Sequence, residues 1–195
     1  MSEKTRMKEK TRCAWSVTHP LMIAYHDEEW GVPVHDDEKH YEYLLLDAMQ
    51  AGLSWLTVLK KRDAFRSAFS QFNPKKVASY AQRDINILLR NAEIIRNRQK
   101  INAAIINAQR FLQVQREFGS FNDYIWQFTN GKAIRNRFTT MKELPPKSAA
   151  SEAMSRDLIK RGFSFVGPTI CYAYMQAAGM VNDHTTDCFR YRQVK

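Results

Sequence analysis

Residues 162–168 read Gly-Phe-Ser-Phe-Val-Gly-Pro and form the most informative stretch of the chain. A helical pattern over residues 151–161 precedes it, and an apolar helical pattern over residues 169–178 follows it. Glycine adopts backbone angles that other residues avoid, so the two glycines predict a tight turn. Proline is favourable in the first turn of a helix, so Pro168 predicts where the second helix begins. The stretch therefore predicts two helices joined by a hairpin.

The second helix of this hairpin would begin with backbone amides that point outward. Such amides, with the positive end of the helix dipole behind them, suit a DNA phosphate. The segment resembles a helix-hairpin-helix element, which DNA repair proteins use to hold the DNA backbone without reading its sequence. The candidate backbone contacts are Gly162, Val166, Gly167 and Thr169. An ordinary glycine-containing turn between two helices is the alternative.

Outward from the hairpin, apolar residues recur at helical spacing almost everywhere. Predicted helices run from Asp36 to the region of Gly52, from a cap at Ser54 to about Phe69, briefly after Asn73-Pro74, and over 98–118 and 121–128. Residues 131–146 read as an extended connection. No segment alternates apolar and polar residues between turns, so essentially no sheet is expected and the fold class is all-α. We expect one helical domain over 12–195, the alternative being two small lobes, after a disordered basic tail over 1–11.

The chain is basic, with 30 Lys and Arg against 20 Asp and Glu and a formal charge of +10. Such a surface attracts polyanions, nucleic acid first and anionic membranes second. No apolar run approaches the roughly 20 residues that span a bilayer, and the basic N-terminus lacks the apolar stretch of a secretory signal. A cytoplasmic protein without membrane contact is expected.

Two Cys and two His near the ends of the chain form a candidate metal site. His184 and Cys188 are spaced so that one helical turn would place both on one face. With Cys13 and His26 they would complete a closed tetrahedral zinc site that ties the two ends together. The alternative is that these residues bind no metal, the cysteines being buried core residues and the histidines lying on the surface. Cys171 reads as a core residue, and the remaining three histidines read as solvated: His19, His35 and His40.

Several long motifs together resemble the 3-methyladenine DNA glycosylase I family. The resemblance runs from about Arg12 to Tyr191, in the same order and at compatible spacings. The motifs are Arg-Cys-Ala-Trp (12–15), Ile-Ala-Tyr-His-Asp-Glu-Glu-Trp-Gly (23–31), Gln-Ala-Gly-Leu-Ser-Trp (50–55), Leu-Lys-Lys-Arg (59–62), Phe-Val-Gly-Pro-Thr-Ile-Cys-Tyr (165–172), Met-Gln-Ala (175–177) and Val-Asn-Asp-His (181–184).

The resemblance implies a helix-hairpin-helix glycosylase fold with one structural zinc per chain. Its zinc ligands match Cys13, His26, His184 and Cys188. It further implies an enzyme that acts on alkylated double-stranded DNA and releases free 3-methyladenine. A monomer is expected.

The lesion pocket implied by the resemblance includes Tyr25, Trp55 and Trp15. Without the resemblance these aromatics would read as core residues. The carboxylate of this pocket is typically Glu, in a Leu-Glu-Gly context, whereas the matching residue here is Asp47, followed by Ala48. Aspartate keeps the charge but is one methylene shorter, so we expect a longer or water-bridged contact with the base.

The expected chemistry follows from the lesion. Adenine methylated at N3 is cationic and leaves readily, so the enzyme must chiefly extract the base from the duplex and recognise it. Asp47 would accept hydrogen bonds from the donor edge of the base; a solvated helix residue is the alternative. The loop with Gly52 and Leu53 is a candidate plug for the gap in the duplex; a simple helix-helix turn is the alternative.

Two positions argue against strand cleavage. Bifunctional enzymes of the wider superfamily carry a lysine nucleophile just after the hairpin glycine, where this chain has Thr169. They also use an aspartate that aligns with Asn182, while the adjacent Asp183 could orient His184. Hydrolysis alone is therefore expected. The rival hypotheses are a non-catalytic DNA-binding module, a glycosylase for another alkylated base, and a basic RNA-binding or scaffold protein.

Overall fold

The computed structural model describes residues 10–194, and helices dominate that range. Its α-helices are α1 (Pro20–Glu28), α2 (Asp37–Gln50), α3 (Trp55–Leu59), α4 (Arg62–Ala68), α5 (Pro74–Ala78), α6 (Gln82–Arg90), α7 (Arg98–Phe118), α8 (Phe121–Ile125), α9 (Ala149–Lys160) and α10 (Pro168–Ala177). Short 3-10 helices cover Ala14–Thr18, Ser70–Phe72, Trp126–Thr129, Met141–Glu143 and Phe189–Arg192. No helix within this range is both long and apolar enough to cross a membrane.

The predicted basic tail falls mostly on residues 1–9, which lie outside the described residues. Its last two residues contact the C-terminal segment. The Thr11 carbonyl accepts a hydrogen bond from the Phe189 amide at 3.0 Å, and the Lys10 ammonium lies 4.8 Å from the Phe189 ring centroid.

The central helix α2 packs between α7, α8 and α10, and α9 packs on α10. Every residue of α2 from His40 to Met49 is buried, so the helix has no solvent face over that length. Helix α7 buries Ile101, Ile105 and Ala108 as predicted, together with Phe111 and Val114. The buried apolar side chains of these helices join in one connected core.

The structure departs from the predicted elements in several places. Helices α1 and α6 were not predicted, and the helix predicted over 54–69 is two helices, α3 and α4, separated at Lys60 and Lys61. Helix α9 begins at Ala149 rather than at residue 151, and its cap is Ser148, whose hydroxyl accepts from the Ser151 amide at 3.2 Å. The connection over 131–146 contains strand β1 (Ile134–Arg135), which pairs in parallel with β2 (Val181–Asn182).

Candidate active site and metal centre

A cavity of about 200 Å³ lies between α1, α2, α3, α10 and the connection before α9. An apolar cavity of about 150 Å³ accommodates benzene, so this volume suits one planar base. The structure brings the predicted pocket residues Trp15, Tyr25, Asp47 and Trp55 together here. The other lining residues, which were not predicted, are Met22, Trp30, Gln50, Met141, Leu144, Ala173 and Gln176.

Aromatic rings form one side of the cavity. The Tyr25 and Trp55 ring centroids are 5.1 Å apart with planes at 53°, and Trp15 lies 6.3 Å from Tyr25. Trp30 supports Trp15 edge to face at 5.0 Å. Burial raises the pKa of Tyr25 well above its usual value, so its hydroxyl remains a neutral donor. These rings offer the faces on which a base can stack.

Asp47 is the acidic group of the cavity. Its side chain comes from the last turns of α2 and is 4% exposed, so it is not the solvated helix residue of the alternative interpretation. Its Oδ2 atom is buried and has no hydrogen-bond partner among the described residues. Burial alone raises the pKa of this carboxyl well above the usual aspartate value. An unpaired buried carboxyl is unfavourable for folding and marks a site that awaits a partner.

The indole Nε1 of Trp55 is likewise buried without a hydrogen-bond partner within residues 10–194. Asp47 Oδ2 and Trp55 Nε1 are thus a buried acceptor and a buried donor at the cavity that lack a partner among the described residues. A ligand with both a donor and an acceptor on its edge would satisfy them.

The hairpin between α9 and α10 has one glycine that its backbone requires. Gly162 takes φ +84°, and a Cβ there would lie 2.9 Å from the Arg110 side chain. Gly167 takes an ordinary φ of −61°, and no atom lies within 4 Å of the position of its Cβ. The expectation that both glycines adopt special angles is thus wrong for Gly167; Phe165 holds the second positive φ, +55°.

The start of α10 offers backbone donors. Among the hydrogen bonds of the described residues, none uses the N–H of Gly167, Thr169 or Ile170. Val166 is 4% exposed, and its carbonyl accepts from the Ser155 hydroxyl at 2.7 Å. The Val166 side chain is therefore part of the core, which leaves only its backbone for contact with DNA.

A second cavity, of about 340 Å³, joins the hairpin to the candidate plug loop. Its lining residues are Asp47, Gln50, Ala51, Gly52, Leu53, Thr169, Ile170 and Ala173. Leu53 is 42% exposed, so its apolar side chain is accessible at the edge of this cavity. Lys100 of α7 fixes the start of the plug loop, because its ammonium donates to the carbonyls of Met49 at 2.8 Å and Ala51 at 2.6 Å. Three of the predicted groups, the carboxylate, the loop and the hairpin, therefore share one face.

The Cys2His2 set predicted from the ends of the chain lies together in the core. All four side chains are buried, and their ligand atoms lie within 4.8 Å of one another. His184 Nδ1 is 3.2 Å from His26 Nε2 and 3.6 Å from each sulfur, those of Cys13 and Cys188. Tetrahedral bonds of about 2.0–2.3 Å to nitrogen and sulfur place ligand atoms roughly 3.3–3.8 Å apart, so the set fits a metal ion.

Both histidines of this cluster are oriented by hydrogen bonds to their other ring nitrogen. His26 Nδ1 lies 2.8 Å from Asp27 Oδ1, and His184 Nε2 lies 3.0 Å from the Trp30 carbonyl. Such partners fix ring orientation at metal sites. The suggestion that Asp183 orients His184 is wrong, because the Asp183 carboxylate accepts from Asn136, Tyr172 and Gln176 instead. Nothing in the sequence pointed to Asp27 except its place beside His26.

The other cysteine and histidine predictions are mostly met. Cys171 is a buried core residue whose thiol donates to the Val166 carbonyl at 3.2 Å. His35 is exposed, and His19 is partly exposed and caps α1. His40, predicted to be solvated, is instead fully buried; its Nδ1 shares a hydrogen bond of 2.6 Å with the Tyr174 hydroxyl. Burial lowers the pKa of His40 to about 4.

A partly buried ion network explains the arginine of the Leu-Lys-Lys-Arg motif. Arg62 pairs with Glu29 at 2.6 Å and with Glu42 at 2.8 Å, and Lys39 bridges the same two acids. Burial by itself raises the pKa of Glu29, but the Arg62 hydrogen bonds and charge lower it to about 2. The network joins α1, α2 and α4, the first two of which carry Tyr25 and Asp47.

Comparison with known proteins gives a consistent result. The sequence profile of the methyladenine glycosylase family matches residues 15–191. DNA-3-methyladenine glycosylase 1 of Escherichia coli K12 is 49% identical over 180 residues, or 92% of this chain and 96% of that protein. A crystal structure of a 3-methyladenine DNA glycosylase I has a TM-score of 0.90 at 47% identity, covering 92% of this chain and 98% of that one.

A variant of a 3-methyladenine DNA glycosylase I, solved in complex with 3-methyladenine, has a TM-score of 0.88 at 34% identity. That comparison covers 91% of this chain and 96% of the other. Profile, sequence and structure agree over the same residues, and this chain belongs to the methyladenine glycosylase family.

Proposed function

We propose that this protein is a monofunctional DNA glycosylase that hydrolyses the N-glycosidic bond of 3-methyladenine in alkylated double-stranded DNA. The observation that carries the proposal is the unpartnered Asp47 carboxyl in a base-sized cavity walled by Tyr25, Trp55 and Trp15. Family membership and the relative that was solved with 3-methyladenine support the same substrate.

Recognition would depend on the positive charge of the lesion. Stacking on aromatic rings contributes about 1–3 kcal/mol per base, and a cationic ring adds a cation–π term. A cation beside Asp47 would also favour the ionised carboxylate that burial disfavours. An undamaged neutral adenine can stack on the rings but gains neither the cation–π term nor the favourable interaction with ionised Asp47. Flipping costs a few kcal/mol for either base. The cavity would therefore retain the alkylated base and reject the normal one.

The reaction itself needs little acid catalysis, since the methylated base is already a good leaving group. The bond between C1′ and the base breaks with its electron pair leaving on the cationic base, which becomes neutral; the oxygen of water bonds to C1′ and one proton of that water passes to solvent. The products are free 3-methyladenine and an abasic site. Thr169 stands where a lyase would carry its lysine, so no covalent step is proposed.

DNA would be held along the face shared by the hairpin and the plug loop. The free amides of Gly167, Thr169 and Ile170 suit a phosphate. Leu53, already exposed, would enter the gap left by the flipped base, and Lys100 would keep its loop in place. Gly162 and Val166 would act through the backbone shape of the hairpin.

The Cys2His2 cluster would hold zinc. Two sulfur and two imidazole ligands prefer this ion in a closed structural site. The zinc would neutralise the two thiolates and tie the ends of the domain together, and it would take no part in hydrolysis. A monomeric state and a cytoplasmic location stay predictions from the sequence.

The test is release of free 3-methyladenine from methylated duplex DNA, measured by chromatography for wild type, Asp47→Asn and Asp47→Glu. Loss of one charge-assisted hydrogen bond of about 1.5–3 kcal/mol predicts a fall of about 10- to 150-fold for Asp47→Asn. Asp47→Glu, which restores the residue typical of the family, should keep or raise the rate. Tight binding of abasic DNA with no base release by the wild type would favour a non-catalytic binding protein. Release of another alkylated base alone would favour a shifted specificity.

A further inference from the structure

Gln176, on the last turn of α10, lines the base cavity, and a buried acid holds its side-chain amide. The amide nitrogen Nε2 donates to Asp183 Oδ2 at 2.8 Å. The carbonyl oxygen Oε1 has no hydrogen bond among those of the described residues. Gln176 thus brings to the cavity a polar group that the proposed mechanism does not use.

Asp183 is the reason that this amide has a fixed orientation. It is 1% exposed and also accepts from the Tyr172 hydroxyl at 2.7 Å and from Asn136 Nδ2 at 2.6 Å. An ionised carboxylate can only accept hydrogen bonds. If the Gln176 amide rotated by half a turn, its oxygen would face this carboxylate and a donor would be lost. The NH2 end is therefore committed to Asp183, and the oxygen is the end that remains for a ligand.

The Asp47 carboxylate and Gln176 Oε1 are thus two groups at the cavity whose orientation or charge commits them to accepting, whereas the amide of Gln50, which also lines it, can either donate or accept. A purine with an exocyclic amino group at C6 carries two N–H donors on that nitrogen. A purine with an oxo group at C6 carries an acceptor there instead. A site built to accept from N–H groups rejects an analogue that lacks them, because its buried acceptors stay unpaired.

We propose that Gln176 is a specificity-determining residue that accepts a hydrogen bond from the 6-amino group of the flipped base, and that Asp183 is its positioning residue. The proposal rests on the proposed glycosylase function and deepens it. The pair selects a 6-amino over a 6-oxo purine when both carry the same methyl group and the same positive charge.

The experiment compares release of 3-methyladenine and of 3-methylguanine from methylated duplex DNA, as kcat/KM for each base. Gln176→Met keeps the length of the side chain and removes the acceptor. We expect it to lower the ratio of the two kcat/KM values about tenfold, the size of one hydrogen bond of about 1.4 kcal/mol, through loss on 3-methyladenine alone. Asp183→Asn frees the amide to rotate and should lower the ratio by a smaller factor.

Competition by the two free bases gives a second reading that does not depend on catalysis. Gln176→Met should weaken inhibition by free 3-methyladenine about tenfold and leave inhibition by free 3-methylguanine unchanged. Gln99→Met, the same change at an exposed position on α7, should leave both measures at the wild-type value. Melting temperature and metal content verify that the variants are folded.

Equal loss on both bases, or a ratio within about threefold of wild type in Gln176→Met, would overturn the proposal. Failure of the wild type to release 3-methyladenine would instead overturn the proposed function. The two failures are therefore distinguishable.

Discussion

At the scale of single residues, the Asp47 carboxyl that is proposed to bind the base also lowers the stability of the free protein. Its Oδ2 atom is buried without a hydrogen-bond partner in residues 10–194, and burial raises the pKa of its carboxyl, so the folded state holds the proton more tightly than the unfolded chain does. Below the pKa of the unfolded chain both states are protonated, and the carboxyl does not lower the free energy of unfolding. As the pH rises from that pKa toward the folded pKa, the unfolded chain loses its proton first, so the free energy of unfolding falls. At neutral pH the free protein therefore bears a penalty at this position.

We predict that Asp47→Asn raises the free energy of unfolding at pH 7 by about 1–3 kcal/mol, because the amide is never charged. The gain should shrink as the pH falls toward 4, where the unfolded aspartate also becomes protonated. Chemical denaturation of both proteins at pH 4, 5, 6 and 7 measures this dependence. A variant that is equally stable or less stable at pH 7 would contradict the burial argument.

The position of Asp47 also shows where sequence reasoning stops. Asp47 stands among the apolar residues Leu44, Leu45 and Met49, but its sequence context left a solvated carboxyl as the alternative, and the structure shows that it is buried. Periodicity could not indicate the direction of the side chain, because α2 is buried on all sides over residues 40–49. The resemblance singled out Asp47, whereas nothing in the chain pointed to Met141 or Leu144, which reach the cavity from an irregular connection.

At the scale of elements, the helices with clear terminal signals were predicted best. Helix α7 begins after the Asn97 cap and ends before Gly119, so its bounds of 98–118 follow from local sequence. No proline or glycine lies at the break between α3 and α4, so the sequence did not predict that the helix would end there. It places Arg62 at the start of α4, where the side chain meets Glu29 and Glu42. Tertiary ion pairs of this kind cannot be derived from local propensity.

The two glycines of the hairpin should behave differently when each is replaced by alanine. Gly162→Ala places a Cβ at φ +84° and 2.9 Å from Arg110, so we predict a loss of about 1–2 kcal/mol in unfolding free energy. Gly167→Ala meets no atom within 4 Å at an ordinary φ, so its stability should match wild type within about 0.5 kcal/mol.

For DNA affinity, unlike stability, we expect Gly167→Ala to be the more damaging of the two substitutions. A methyl group at Gly167 would stand where the phosphate approaches the free amides, so Gly167→Ala should weaken affinity for abasic duplex about tenfold or more. Inhibition by free 3-methyladenine should not change in this variant, since the cavity is intact. Fluorescence anisotropy with labelled duplex measures the first quantity. Wild-type affinity in Gly167→Ala would place the phosphate elsewhere.

At the scale of the whole molecule, the Cys2His2 cluster joins segments that are far apart in sequence. Cys13 and His184 are separated by 171 positions, and the cluster also brings α1 against the segment after β2. The sequence nominated all four ligands, but only His184 and Cys188 have a spacing that supports a shared site. A contact over such a separation leaves no local pattern, so the resemblance was needed to strengthen the assignment of Cys13 and His26.

Metal removal is therefore expected to act on the fold as a whole. An ion that binds the native state and not the unfolded chain stabilises the native state by mass action. Cys13→Ser and Cys188→Ser should each lower metal content from one per chain to near zero. A loss of about 4 kcal/mol would lower the melting temperature by roughly 10 °C, at about 2–4 °C per kcal/mol for a domain of this size.

Cys171→Ser supplies the matched control for these two variants. Cys171 is as buried as the ligand cysteines, and its thiol donates to the Val166 carbonyl, a bond that a serine hydroxyl can replace. It should keep one metal per chain, and a strong chelator should lower its melting temperature as much as it lowers that of wild type. In Cys13→Ser the chelator should have no further effect. Full metal content in Cys13→Ser, or the same loss of metal in Cys171→Ser, would show that the four residues are held together by packing rather than by an ion.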